Sequence, residues 1–187
     1  MHKPYLSHFH NNGKHITKGK PPCLKKIDDK IEMFTTRAKA VGCDFIVCSS
    51  IQEVIQYAID HQIKAEACSL WQTALSNVMC SDLNALNEQT ILITADAAAA
   101  ETGTIFKAAT SICPTNMLFL PKHLLVMVKE NQIYDYYEQA YEATKKVQPN
   151  FINIHMITGP SRTADIEQIL VLGAHGPIQL TIFLIKA

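Results

Sequence analysis

The chain reads as an α/β protein, a three-layer sandwich on a mostly parallel sheet, and three observations carry that reading. Stretches with apolar residues at helical spacing alternate with short continuous apolar runs, the pattern of helices laid over a sheet that is buried on both faces. The 187 residues are 48% hydrophobic and 18% charged, enough apolar material for one real core without staples. No internal repeat and no linker rich in Gly, Pro or Ser divides the part of the chain that carries this pattern.

Taken in order, residues 1–26 stand apart. They hold six Lys, four His and no acidic residue, with the breakers Asn11-Asn12-Gly13 and Gly19-Lys20-Pro21-Pro22, so they read as a basic, disordered tail. Ile27, Ile31, Phe34, Ala38 and Val41 then follow helical spacing, and Gly42 sits where such a helix would stop. Asp44 to Cys48 reads as a buried strand. Ser50 and Glu53 form a capping-box pattern ahead of a helix through Val54, Ile55, Ala58 and Ile59. Residues 63–89 are less legible. Leu70, Trp71, Ala74, Leu75, Val78 and Met79 suggest a helix there, with Trp71 in the core.

Four strand-like runs follow, Thr90 to Thr94, Thr104 to Ala108, Asn116 to Leu120 and His123 to Val128. Ile133, Tyr137, Ala140, Tyr141 and Thr144 return to helical spacing, and Pro149 closes that helix. Phe151 to Ile157 and Ile178 to Ile185 are the strongest strands of the chain.

Composition excludes several functions. Outside the tail the chain carries eleven basic against seventeen acidic residues, a mildly acidic body that argues against nucleic acid as the partner. No window has the eighteen apolar residues of a membrane span and the N-terminus lacks the apolar core of a signal peptide, so a cytoplasmic protein is expected. The six cysteines have no C-x-x-C spacing, which points to buried thiols and away from an iron–sulfur cluster held by this chain alone. There is no P-loop, no dinucleotide fingerprint, no nucleophile elbow and no zinc pattern. No metal and no cofactor is expected on this chain.

The chemistry concentrates between the two strongest strands. Thr158-Gly159-Pro160-Ser161-Arg162-Thr163-Ala164-Asp165-Ile166-Glu167 runs on into Gly173-Ala174-His175-Gly176-Pro177. One reading is structural, with Ser161 or Thr163 capping a short helix, Asp165 and Glu167 on its first turn and Gly173 as its stop. The other is an anion site, because free amides at a helix start and a guanidinium together suit a carboxylate or phosphate. Arg162 is one of only two arginines in the chain; the other, Arg37, lies on an ordinary amphipathic helix. In a parallel sheet ligands gather at the carboxyl ends of strands, and this motif begins where a strand ends. A salt bridge to Asp165 or Glu167 is the structural alternative for Arg162.

GPSRTADIEQ followed by VLGAHGP resembles the C-terminal signature of the lactate utilization protein C family, the LUD-domain proteins. Ala95 to Thr104, with Thr102-Gly103-Thr104, is similar to the family's A-x-T-G-T segment, and Leu120-Pro121-Lys122-His123 to its P-x-H segment. The resemblance covers most of residues 27–187, which it implies is one LUD domain, and it implies the sheet shared by ribose-5-phosphate isomerases and CoA transferases. It further implies a component of the system that oxidises lactate to pyruvate, in which partner proteins carry the iron–sulfur clusters and move the electrons. This subunit would then supply an anion-binding or assembly surface.

The candidate ligand-binding residues are Gly159, Ser161, Arg162, Thr163 and Asp165, with Thr102, Gly103, Thr104 and His123 from the other two segments. The candidate catalytic residues are His175, which titrates near neutrality, and Glu101, which invites comparison with the nucleophilic glutamate of CoA transferases. On the alternative reading these two serve a free-standing isomerase- or transferase-like enzyme acting on a small phosphorylated or acyl substrate. The structural roles open to the same residues are a hydrogen-bonding turn histidine and a tight turn at Gly103 tied down by hydroxyls.

Overall fold

In the computed structural model the described residues are 26–61, 64–65, 90–111, 113–164, 170–172 and 176–186. The reading of residues 1–26 as a tail therefore lies outside them, apart from Lys26, as does the helix read around Trp71.

Helix α1 (Lys30–Ala40) starts at Asp29, whose carboxylate accepts the amides of Ile31 and Glu32, an N-cap three residues inside the start that apolar spacing suggests. It ends in a Schellman motif: the Gly42 amide donates to Lys39 O and the Cys43 amide to Ala38 O, with Gly42 at φ +92°. Strand β1 (Asp44–Cys48) leads to α2 (Ile51–Asp60). The capping box does not form there: Ser50 makes no side-chain cap, and Glu53 accepts the amide of Ser49, one residue before the N-cap.

The remaining elements are β2 (Lys64–Ala65), β3 (Thr90–Thr94), β4 (Ala97–Ala99), β5 (Thr104–Ala109), α3 (Asn116–Phe119), β6 (His123–Lys129), β7 (Ile133–Tyr134), α4 (Tyr137–Val147), β8 (Asn153–Ile157), β9 (Arg162–Ala164), β10 (Leu170–Leu172) and β11 (Gln179–Ile185). Strands β1-β11-β6-β3-β2 form a five-stranded sheet whose neighbours all run parallel. A second sheet, β7-β4-β5-β8, is mixed, and its β5 pairs antiparallel with both β4 and β8.

Alternation along the central strands divides the core. Leu124, Val126 and Val128 of β6 join Ile91, Ile93, Leu180, Ile182 and Leu184 against α1 and the second sheet. Leu125 and Met127 join Leu92, Phe183 and Ile185 beneath Val54 and Ala58 of α2. The outer face of the second sheet is covered by α4, where Ala140 and Ala143 sit against Ala97, Ala99 and Phe106. Small residues on both sides allow this close approach, which explains why an alanine run of poor β-propensity serves as a central strand. The molecule is thus an α/β sandwich with a parallel sheet; apolar patterning found β5 and β8 of the second sheet but not β4 or β7.

Four local expectations are corrected, beginning with two small ones: of the run Asp44 to Cys48 only Cys48 is buried, and Ile133 lies in β7, ahead of the helix its spacing suggests. Asn116 to Leu120 is helical, not extended: the Met117 and Leu118 amides donate back to Pro114 O and Thr115 O, and both side chains point into the core. A four- or five-residue apolar run has no period long enough to separate strand from helix. The segment after Gly159-Pro160 does not open a helix at Thr163 either, because Arg162–Ala164 is a strand paired antiparallel with Leu170–Leu172.

Candidate functional site

Two stretches far apart in sequence converge on the end of α1. Gly103, at φ +68°, lies so close to the helix that a Cβ would meet the Ala38 nitrogen at 2.6 Å. Gly159, at φ +82°, lies against the Val41 carbonyl, where a Cβ would meet the oxygen at 2.7 Å. The guanidinium of Arg162 lies over Gly42. Glycine is required at 103 and 159 both for the left-handed backbone and for this approach of main chain to main chain.

The hydroxyls of these stretches are joined. Thr104 Oγ1 is 2.7 Å from Thr102 Oγ1 and 2.8 Å from Thr158 Oγ1, which ties the β4–β5 turn to the end of β8. The Ser161 amide donates to Pro177 O at 2.8 Å, so the two Gly-Pro pairs of the sequence are brought side by side. Gly159, Ser161, Arg162, Thr102, Gly103 and Thr104 therefore form one neighbourhood. Thr163 follows on β9, while Asp165 and His175 lie outside the described residues.

This neighbourhood stands at the amino-terminal edge of the parallel sheet, beside the turn that enters β1. The expectation of a carboxyl-end site is corrected for a topological reason: β8, from which the motif emerges, belongs to the second sheet and runs antiparallel to β5. The amides of a new helix also cannot be the anion donors at residues 162–164, since that backbone forms a β-ladder. What remains for an anion is the guanidinium of Arg162, an exposed residue that lies over Gly42.

Cys43 lies at the centre of the neighbourhood and was not anticipated as part of it. Burial pushes its thiol up to about 11, the nearby Asp44 carboxylate adds to the rise, and a hydrogen bond from the Gly159 backbone and the charge of Arg162 pull it back. The thiol stays protonated at neutral pH and acts as packing. Thr158 was inside the motif without being singled out, and the Gly42-Cys43 pair gave no signal beyond a helix stop.

His123 takes a different position. It opens β6 on the α2 side of the sheet, with Nε2 2.8 Å from Thr181 Oγ1, and burial lowers its pKa against the raising effect of Asp44. It shares the sheet edge with Arg162 but not the face. Glu101 turns away from Thr102-Gly103-Thr104: its Oε1 accepts the Tyr137 amide at 2.8 Å at the first turn of α4. There the carboxylate satisfies an otherwise open helix donor and complements the helix dipole. Among the described residues no group of three His, Cys, Asp or Glu side chains is placed to hold a metal ion, and no helix is long and apolar enough to cross a membrane.

The LUD domain model matches residues 61–185, two thirds of the chain and all three motif segments. The chain belongs to the LUD domain family. Among its relatives, lactate utilization protein C of Macrococcus caseolyticus is 38% identical over 90 residues, 46% of this chain and 39% of that protein. Lactate utilization protein C of Anoxybacillus flavithermus is 28% identical over 142 residues, 75% of this chain and 62% of that protein. The chain thus matches less than two thirds of the length of either relative. A crystal structure of a DUF162 family protein from Deinococcus radiodurans superimposes with a TM-score of 0.62 at 16% identity, covering 83% of this chain and 96% of that one, which shows a shared fold.

Proposed function

We propose that this LUD domain is a cytoplasmic component of a lactate utilization system, which oxidises lactate to pyruvate with iron–sulfur partner proteins, and that it supplies an anion-binding or assembly surface. Relatives named for lactate utilization support the system. The observation that carries the anion reading is Arg162, an exposed residue whose guanidinium lies over Gly42 at the end of α1, the helix end against which Gly103 and Gly159 also pack. A guanidinium offers a planar fork of donors that matches a carboxylate or a phosphate.

One charge-assisted contact of this kind contributes roughly 1.5–3 kcal/mol, so Arg162→Ala weakens anion binding by about ten- to a hundredfold. Arg162→Lys recovers little of it, because a point charge does not reproduce the fork. Calorimetric titration of lactate, pyruvate, phosphate and sulfate into the wild type and both variants, with thermal melts alongside, tests this. Variants that bind as the wild type does but melt much lower would make Arg162 a structural residue and end the proposal. The partner half of the reading predicts a colourless chain on its own and an iron–sulfur spectrum in material co-purified from the native host.

A further inference from the structure

We infer that Gly42 is a positioning residue for Arg162: the bare Cα surface at the end of α1 is the seat of the guanidinium and so sets anion affinity without touching the ligand. The inference rests on the anion reading above and adds the residue that orients its charged group. Gly42 has one role that any helix stop would have, as the left-handed residue of the Schellman motif. Its second role is visible only in the packing. A Cβ at position 42 would stand 1.9 Å from Nη2 of Arg162, 2.7 Å from Cζ and 3.4 Å from Nε, so the whole guanidinium lies on the glycine. Carbon and nitrogen atoms in ordinary contact stand roughly 3.5–4.0 Å apart. A side chain of any kind at position 42 therefore lifts the guanidinium off its place.

The three crowded glycines of the neighbourhood differ in what a side chain would strike. At Gly103 and Gly159 it would strike main chain, the Ala38 nitrogen and the Val41 oxygen, so substitution there forces the elements apart. At Gly42 it would strike the far end of a flexible side chain, which moves without moving the backbone. Substitution at Gly42 thus acts on Arg162 more than on the fold, provided that the left-handed backbone is respected. Asparagine is the side-chain-bearing residue that visits that conformation most readily and that replaces glycine at this place in helix ends.

The experiment compares Gly42→Asn, Gly42→Ala, Arg162→Ala and the double variant Gly42→Asn/Arg162→Ala by calorimetric titration with phosphate and with lactate, and by thermal melting. Gly42→Asn is expected to melt close to the wild type and to bind about tenfold more weakly, the scale of one misplaced charge-assisted contact. Added to Arg162→Ala it should cost no further affinity, because the group it displaces is already gone. Gly42→Ala should show the same affinity loss with a lower melt from its strained backbone. Gly42→Asn binding as the wild type does, while Arg162→Ala is weakened, overturns the seat and leaves the anion site standing. Losses that add in the double variant overturn it equally. Arg162→Ala binding as the wild type does overturns both the anion site and the seat.

Discussion

Asp96 is the position where a single substitution should cost the fold most for its size. Its side chain and that of Lys107 are 5% and 6% exposed, with Lys107 Nζ 3.8 Å from Asp96 Oδ1. The same carboxylate accepts the buried Ala108 amide at 2.7 Å and Gln148 Nε2 at 3.3 Å. Asp96→Ala removes the carboxylate facing a buried ammonium, a loss on the order of 3–5 kcal/mol. It also takes the acceptor from Ala108, a contribution of about 1–3 kcal/mol that overlaps the first because one group makes both contacts. About 3–5 kcal/mol is therefore expected in total, against the roughly 5–15 kcal/mol that holds an ordinary domain folded. Lys107→Met should cost less, because the carboxylate that stays behind is still hydrogen-bonded by the Ala108 amide and the Gln148 side chain. The double variant Asp96→Asn/Lys107→Met should be more stable than Asp96→Ala, since it removes both charges together and keeps an acceptor for the Ala108 amide. Urea unfolding followed by circular dichroism reads these differences from the midpoint at constant slope. A loss below about 1 kcal/mol in Asp96→Ala would show that the pair is hydrated and the argument from burial wrong.

Three further outcomes follow from the same structure. His123 and His155 both have pKa values lowered below the ordinary 6.5 by burial, so below that pH the unfolded chain takes up protons first and stability falls as the pH drops. Unfolding free energy measured between pH 7.5 and 5 should fall less steeply in His123→Gln/His155→Gln than in the wild type, and an unchanged slope would count against the burial of both rings. Glu101→Ala should lower stability by about 0.5–2 kcal/mol through the lost contact at the start of α4, read from thermal melts; an unaltered melt would remove that role. Cys43, Cys48 and Cys113 are buried, and the Cys43 thiol titrates at about 11, so brief alkylation of the native protein at pH 8 followed by peptide mapping should leave all three unlabelled.

The centre of the parallel sheet was legible because its strands are uniform. His123–Lys129 and Gln179–Ile185 are buried on both faces, so each is a continuous apolar run that no amphipathic helix would produce. The second sheet was legible only in β5 and β8; its strand β4 was not, because it is the alanine run Ala97–Ala99, which suits the space that α4 leaves and not strand propensity. Helix α3 escaped for want of length, four residues being too few for a period.

For the candidate site, sequence by itself singled out which residues are candidates for chemistry. Polar side chains among Gly-Pro turns stand out against apolar strands whatever their partners, and the family motifs mark the same three segments. Only the tertiary structure decided how they are arranged. Pairing of β8 with β5 in the second sheet moved the Arg162 segment to the amino edge of the parallel sheet. The β9–β10 ladder replaced an expected helix start. Packing against α1 turned Gly42 from a helix stop into the floor beneath a guanidinium and made Cys43 its neighbour. Glu101, adjacent to Thr102 in the chain, was drawn off to cap α4. The physical reason is common to these cases: residue type fixes what a group can bond, but the partner that satisfies it is chosen by contacts between segments tens of residues apart, which local pattern does not encode.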